Sequence, residues 1–292
     1  MIQLAPSPAA NAATPAYPGG QGHCLRWDAA AAQWCWADRA GGIYQAWSSE
    51  QQLALHSFLP EEAGPFVLCA SGRLLVCQPK RLCLTLASRV PTGPRQRAWR
   101  LRPLVTVDPA EPRTSIHEGQ VDRAGNFVFG TRNDAADARP IGSFYQYSLR
   151  FGLRRLALPA VSVGTSICFS VDGRRMYFAD GRRPAIYQCD YDAAGAQVAN
   201  VRLFAALDAM PESAIIDRDG HLWSAQATIG SLLRFGPDGS VAGRLALPAD
   251  TLAGLAFGGV HLDQIAVGSA RGLFRIMDSG AAGVPELPFD DT

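Results

Sequence analysis

The stretch PESAIIDRDGHLWSA, from Pro211 to Ala225, contains the pattern that decides the fold of this chain. An apolar run leads into a turn that opens at Asp217 and closes at Gly220, and a second apolar run follows around Trp223. Aspartate accepts a hydrogen bond from the backbone two residues further on, and glycine adopts positive φ without steric cost. The stretch therefore predicts two antiparallel strands joined by a tight turn.

The same layout recurs along the chain. The copies are Leu25–Asp38, Phe66–Gln78, Gly119–Thr131, Ile167–Asp180, Ala214–Ala225 and Leu255–Ala270, and each is followed by another short strand candidate. Six units of about 40–50 residues have the spacing of propeller blades. Their apolar runs alternate poorly, which suits strands covered on both faces by neighbouring sheets. We predict an all-β, six-bladed β-propeller; a β-sandwich is the alternative, but it does not predict near-equal repeats.

The propeller is expected to form one domain over residues 21–292, after an Ala- and Pro-rich flexible tail over residues 1–20. The start of the chain lacks a basic segment followed by an apolar core, so no secretory signal is predicted. The seven cysteines form no CxxC pair, which indicates reduced, buried thiols in a cytoplasmic protein.

Composition also bears on partners. A net charge of +1 disfavours nucleic acid as a partner. No apolar run reaches the roughly 18 residues that a membrane-spanning helix needs, so no membrane partner is expected. We expect a monomer or a weak homo-oligomer that acts on a small molecule.

Polar residues occupy equivalent positions in several units. The residue five positions before the turn aspartate is His23, His117 or Glu212 in three units, and Thr165 takes the same place before a longer turn. The innermost strands of a propeller line its channel, so these side chains are expected to meet at one mouth. Two imidazoles and a carboxylate suit a divalent metal with open positions for water and substrate. Taken singly, each is more often a solvated or hydrogen-bonded residue at a strand start.

Five sequence blocks carry a resemblance to a known family. They read WDAAAAQWCWAD, GQVDRAGNFVFGT, SICFSVDGRRMYFAD, IDRDGHLWSAQ and AFGGVHLDQIAVGSA. In this order they resemble the senescence marker protein/regucalcin/gluconolactonase family, and GTRNDAADARPIGSFYQYS is similar to its bacterial sugar lactonase branch. The resemblance runs from about His23 to Phe274. It implies a six-bladed propeller that hydrolyses aldonolactones with one divalent metal, held by a Glu, an Asn and an Asp.

The chain departs from the family at each metal position. His23 stands where the family has its Glu, Thr165 where it has the Asn, and Glu212 where it has the Asp. By the resemblance these three are the metal-binding positions. Nitrogen ligands would shift the preference towards zinc, iron or manganese and away from calcium or magnesium.

The family's substrate motif, Arg-x-Asn-Asp-Gly, is replaced by SIHEG at residues 115–119. The resemblance therefore makes Ser115, His117 and Glu118 the substrate-binding positions. The cationic fork of the motif is lost, and Arg132 or Arg113 is a candidate to replace it from a nearby segment.

Two functions remain open from these residues. In the first, the chain is a metal-dependent sugar lactonase in which Glu212 binds the metal or accepts the proton of the attacking water. His117 would then complete a set of two histidines and one carboxylate, or polarise the substrate. In the second, the site has lost or altered its catalysis, and the propeller binds a sugar acid or a related small molecule without hydrolysing it.

Overall fold

A computed structural model of the chain describes residues 22–38, 43–47, 54–58, 64–88, 99–247, 251–270, 272–277 and 279–292. The predicted tail over residues 1–20 lies outside these ranges. The described residues form six antiparallel sheets, each made of strands that follow one another in sequence. The prediction of an all-β, six-bladed β-propeller is confirmed.

The strands of blades 1 to 3 have the following bounds. Blade 1 contains β1 (His23–Asp28), β2 (Gln33–Asp38), β3 (Ile43–Trp47) and β4 (Ala54–Phe58). Blade 2 contains β5 (Phe66–Leu68), β6 (Leu74–Gln78), β7 (Arg81–Thr85) and β8 (Leu101–Thr106). Blade 3 contains β9 (Thr114–Val121), β10 (Phe127–Asn133), β11 (Phe144–Ser148) and β12 (Gly152–Arg155).

The strands of blades 4 to 6 continue the series. Blade 4 contains β13 (Gly164–Phe169), β14 (Arg175–Asp180), β15 (Ala185–Asp192) and β16 (Gln197–Ala206). Blade 5 contains β17 (Pro211–Ile216), β18 (Leu222–Gln226), β19 (Ser231–Phe235) and β20 (Val241–Ala246). Blade 6 contains β21 (Leu252–Gly258), β22 (Gln264–Ser269) and β23 (Gly272–Ile276), so it has three strands within the described part of the chain.

The turns between the first two strands of the blades form as their residues predict. Asp28, Asp122 and Asp217 are buried, and each accepts a hydrogen bond from the backbone N–H two residues on, at 3.1, 2.8 and 3.1 Å. Gly125 and Gly220 adopt φ of +83° and +82° in their turns. Backbone pairing between the two strands stops in the turn. There the aspartate carboxylate accepts the hydrogen bonds that the turn N–H groups would otherwise lack.

Aromatic side chains hold neighbouring blades together. Phe144 of blade 3 meets Phe178 of blade 4 edge-on at 5.2 Å between ring centroids, and Trp223 of blade 5 meets Phe257 of blade 6 at 6.3 Å. All four rings are buried. Because both faces of each sheet are covered in this way, the strands read as continuous apolar runs.

The ring closes where blade 6 meets blade 1. Strand β21 packs against β1, as each innermost strand does against its neighbours. The backbone of Gly22 passes so close to Gly254 and Gly268 that a Cβ atom on either residue would overlap with it. Only glycine permits this approach of two backbones.

The C-terminal segment Ala282–Thr292, which we call the strap, crosses one mouth of the channel. It accepts a hydrogen bond from the N–H of Arg218 in blade 5 at Ala282 O (2.7 Å), and one from Arg123 in blade 3 at Pro285 O (2.9 Å). It ends on blade 2, where Phe289 exchanges backbone hydrogen bonds with Leu68 and Ala70. The strap thus connects blades that are distant in sequence. We did not predict it from sequence, because it is not part of the repeat.

Two buried side chains anchor the end of the strap. Phe289 is fully buried and stacks on Tyr147 at 6.0 Å between centroids. The Asp291 carboxylate accepts the N–H of Ser71 at 2.9 Å and pairs with Arg73 Nη2 at 2.8 Å. Within the described ranges, no helix is long and apolar enough to cross a membrane.

Candidate functional site

The innermost strands share an irregularity near their starts. The pairing register shifts between His23 and Arg26 in β1, between Thr165 and Cys168 in β13, and between Pro211 and Ala214 in β17. Strand β9 shifts at His117. A bulge turns the side chains around it away from the regular alternation of the strand. The shared slot that the sequence predicted therefore coincides with a bulge in each of these four strands.

Four of the predicted site residues line one cavity at this end of the channel, which we call the site mouth. The cavity of about 20 Å³ is lined by His23, His117, Glu118 and Glu212, together with Arg26 and five smaller or apolar residues. This volume accommodates about one water molecule. Residues from blades 1, 3 and 5 thus meet at one point, as their equivalent positions in the repeats predict.

His117 and Glu212 face each other across the cavity. Nε2 of His117 lies 3.8 Å from Oε1 of Glu212. His117 is buried, whereas the Glu212 side chain is about a quarter exposed, at 23%. A carboxylate beside an imidazole can exchange protons with a water or a ligand between them.

Two residues of blade 4, Thr165 and Ser166, hold the Glu118 carboxyl group in place. Its Oε2 accepts the N–H of Ser166 at 2.7 Å and contacts the Thr165 hydroxyl, which also contacts the carbonyl oxygen of Glu212. Burial raises the pKa of the Glu118 carboxyl, and these hydrogen bonds and the charge of Arg26 only partly oppose the rise. The Thr165 hydroxyl has one hydrogen but contacts two oxygens, Oε2 of Glu118 and the carbonyl oxygen of Glu212. Both contacts are hydrogen bonds when Glu118 carries a proton, because Thr165 then donates to Glu212 and accepts from Glu118.

Thr165, the third predicted metal position, lies beneath the cavity, and its assignment as a ligand stays a prediction. It is fully buried, its hydroxyl contacts Glu118 and Glu212, and it is not among the residues that line the cavity. Its role in the structure is to connect blades 3, 4 and 5 beneath the site.

The predicted residues Ser115 and Arg132 lie outside the cavity, side by side on β9 and β10. Arg132 Nε is 2.7 Å from Asp134 and 3.4 Å from the Ser115 hydroxyl. Arg113, the other candidate cation, forms a two-pronged pair with Glu111 at 2.7 and 2.6 Å. Their assignment to substrate binding stays a prediction.

The cation at the site is instead Arg26, which we did not predict. Its side chain is buried in the channel, donates to the carbonyl oxygen of Gly119, and lines the cavity from below. The signal in the sequence is the Leu25-Arg26-Trp27 run, in which a charged residue interrupts an apolar strand. Such a residue is rarely buried without a partner or a function.

The donors in the cavity are compatible in type with a divalent metal. His23, His117 and Glu212 supply two imidazoles and a carboxylate, a set that transition metals accept. The separation of His117 and Glu212, 3.8 Å, is one that a single ion at about 2.1 Å from each could bridge. The ligand atoms of all three do not lie within 4.8 Å of one another, so His23 would have to move closer.

Among the described residues, one group of three potential ligands does lie within 4.8 Å: Asp217, Asp219 and His221. It belongs to the turn after β17, at the opposite end of the channel. Asp217 there accepts hydrogen bonds from Trp223 Nε1 at 3.0 Å and from Arg234 Nη2 at 2.7 Å, besides backbone N–H groups. The carboxylate is saturated by these donors and neutralised by a guanidinium, so we read this group as a structural turn.

The described residues form six blades around a channel, and a small polar cavity lies at one mouth of it. This arrangement defines a β-propeller with a site of small-molecule size. Residues 21–271 match the SMP-30/Gluconolactonase/LRE-like region, and the chain belongs to this family. The resemblance that we drew from five sequence blocks is confirmed.

Two relatives are named as sugar lactonases. An L-arabinolactonase from Azospirillum brasilense is 44% identical over 149 residues, which are 50% of this chain and 49% of that protein. A pentonolactonase from Haloferax volcanii is 30% identical over 152 residues, 44% of this chain and 52% of that protein. The chain therefore spans about half the length of each of these relatives.

A solved structure shares the fold over nearly the whole chain. The calcium-binding protein regucalcin from Agrobacterium tumefaciens superposes with a TM-score of 0.80 at 19% identity, covering 92% of this chain and 93% of that one. At this level of identity the likeness concerns the fold. Calcium binding is named for that protein and is not carried over to this chain.

Proposed function

We propose that the protein hydrolyses the lactone of a five-carbon sugar to the open-chain aldonic acid. The observation that carries the proposal is the convergence of His23, His117, Glu118 and Glu212 on one cavity in the channel of a lactonase-family propeller. The choice of a five-carbon sugar is supported by the names of the two lactonase relatives. That the protein acts as a cytoplasmic monomer or weak oligomer remains part of the proposal.

In this reaction a water oxygen adds to the lactone carbonyl carbon, and the bond from that carbon to the ring oxygen then breaks. Glu212 is assigned to accept the proton of the attacking water, because it is the exposed carboxylate of the cavity. His117 is assigned to donate a hydrogen bond to the carbonyl oxygen, on which negative charge develops. The ring oxygen leaves with a proton, which Glu212 can return.

Glu118 and Arg26 complete the assignment. Glu118, whose pKa is raised by burial, is assigned to accept a hydrogen bond from a sugar hydroxyl with its carboxyl group. Arg26 places a fixed positive charge in the same cavity. That charge favours the developing oxyanion and the carboxylate product over the neutral substrate.

We further propose one divalent metal, which His23, His117 and Glu212 would hold; the His117 nitrogen would then bind the ion instead of donating to the carbonyl oxygen. When bound, such an ion supplies Lewis-acid polarisation of the lactone carbonyl. The two nitrogen donors favour zinc, iron or manganese over calcium or magnesium.

The first experiment is elemental mass spectrometry of the purified protein, followed by assays of acid release. L-Arabinono-1,4-lactone, D-xylono-1,4-lactone and D-glucono-1,5-lactone would be compared with and without EDTA, at a pH where spontaneous opening is slow. We expect about one equivalent of a transition metal, faster release from the five-carbon lactones, and loss of this release with EDTA.

His23→Ala separates a metal ligand from a structural histidine. It should lower the bound metal and the turnover together, while the matched variant His261→Ala, which removes an exposed histidine at the other end of the channel, should change neither. Acid release that persists at full rate without any metal would overturn the metal assignment alone. No acid release from any lactone, after each of the five named metals has been added, would overturn the lactonase and leave a propeller that binds a sugar acid.

A further inference from the structure

The channel has a second cavity at the ends of its innermost strands, the mouth that the strap crosses. This cavity, which we call the distal pocket, measures about 320 Å³, which is at the lower end of the range for sites that bind small organic molecules. It has no part in the proposed lactone chemistry, because the site mouth lies at the other end of the same strands. The two are separated by the buried Arg26.

Most of the wall of the distal pocket is apolar. Trp27, Ile215 and Phe257 contribute from three blades, and Val284 from the strap. Val260 stands at the rim with 86% of its surface exposed, which is unusual for a large aliphatic side chain. Concave apolar surface that is open to solvent is typical of a site that binds a small molecule.

Two charged side chains line the distal pocket, Arg123 and Glu286. Glu286 of the strap lines the pocket and lies 3.8 Å from Arg26 Nε, and Arg123 lines the same pocket. Two guanidinium groups therefore share one carboxylate. Arg123 Nη1 donates to Pro285 O at 2.9 Å, while its buried Nε makes no hydrogen bond with any described residue.

A buried guanidinium N–H without an acceptor is costly, and an anion that reached it would remove this cost. Burial also lowers the pKa of the Arg123 guanidinium, which reflects how poorly water solvates it. Arginine binds carboxylates through two parallel hydrogen bonds, and the adjoining walls accept an apolar chain or ring.

We infer that the distal pocket is a second binding site, independent of the lactone site, for a small monocarboxylate with an apolar body. The carboxylate lies on Arg123, and the apolar body lies against Trp27, Ile215 and Phe257. The pocket selects for one negative charge, because Arg26, which lies outside the lining, pairs with Glu286 and leaves Arg123 as the cation that faces the ligand.

Isothermal titration with octanoate tests the inference, and octanamide serves as the uncharged probe of the same shape. We expect octanoate to bind about ten- to a hundredfold more tightly than octanamide, the ratio for a charge-assisted pair. Arg123→Gln should remove this preference. Arg174→Gln, which removes an exposed arginine from the same end of the channel, should retain it.

A filled pocket gives an independent test. Ala29 is exposed and lines the distal pocket, so Ala29→Phe should occupy the space without disturbing the core and should abolish octanoate binding. Equal binding of octanoate and octanamide would overturn the inference of an anion site. Binding of neither probe, or an equal loss in Arg123→Gln and Arg174→Gln, would overturn the site itself.

Discussion

Strand β17 carries one acid at its start and another just beyond its end, and the two do different work. Glu212 lines the cavity of the site mouth and keeps part of its side chain exposed. Asp217 is buried in a turn and accepts hydrogen bonds from Trp223, Arg234 and the backbone. The Asp217 carboxylate is part of the scaffold because donors surround it, whereas the partly exposed Glu212 carboxylate can meet water or a ligand. The starts of the innermost strands thus carry the site, and their ends carry stability.

Glu118, which is partly exposed in the cavity, and the buried Asp217 show the same contrast in their proton affinity. Burial favours the neutral form of both, and Glu118 keeps a raised pKa. For Asp217 burial is the largest single influence, yet donors from Trp223, His221 and Arg234 together outweigh it, and the pKa is lowered. Whether the pKa of such an acid is raised or lowered depends on the number and charge of its hydrogen-bond donors.

Removal of the carboxylate at the start of β17 should have the largest effect. Glu212→Gln keeps the shape of the side chain but cannot accept a proton, so kcat/KM for lactone hydrolysis should fall by about 10²- to 10⁴-fold. The melting temperature should not change. Asp208→Asn, which removes a carboxylate that is 89% exposed, is the control and should keep full activity. An equal loss in both variants would contradict the role of Glu212.

Truncation of the strap anchor tests whether the strand ends carry stability. Phe289→Ala removes a fully buried ring and should lower the free energy of unfolding by about 3–5 kcal/mol. Leu287→Ala, in the same strap but 41% exposed, should cost less than about 1 kcal/mol. Urea unfolding measures both. If the two variants unfold at the same urea concentration, the strap does not hold the ring together.

Removal of the turn acid Asp217 should have the next largest effect. Asp217→Ala leaves the donors of Trp223 and Arg234 without their acceptor, and we expect a loss of about 2–4 kcal/mol in unfolding free energy. Asp238→Ala removes the equivalent acid from an exposed turn in the same blade, between β19 and β20, and should leave the urea midpoint unchanged. A large change in Asp238→Ala with none in Asp217→Ala would reverse our interpretation.

The smallest effect is a pH dependence. The ordinary pKa of Glu118 is near 4.5 and its folded value is higher, so its contribution to stability is complete below pH 4.5 and is lost as pH rises through the folded value. Glu118→Gln should therefore become more stable relative to the natural protein as the pH rises above 4.5. Urea unfolding across this range checks the difference. A relative loss of stability with rising pH would mean that the folded protein lowers the pKa of Glu118 instead of raising it.

Several parts of the molecule could be predicted from sequence because their causes are local. The Asp and Gly turns and the first three strands of each blade were read directly, and so was the slot that holds His23, His117 and Glu212. The fourth strands were missed. Strand β16, for example, is largely exposed, and its composition lacks the apolar runs that identified the inner strands. Outer strands depend on pairing with a neighbour for their conformation, which leaves a weak mark in sequence.

The sequence by itself determined the number of blades and the strand positions that converge on the site mouth, because repeated turns impose equivalent positions on successive units. Only the tertiary structure decided which side chains take part. It turned Thr165 into a connection between blades, brought Arg26 into the cavity, and placed the strap over the distal pocket. These outcomes depend on contacts between residues far apart in the chain, such as Thr165 with Glu118 and Arg26 with Gly119. A local pattern carries no information about which partner will lie opposite, and that partner decides whether a polar group is satisfied or reactive.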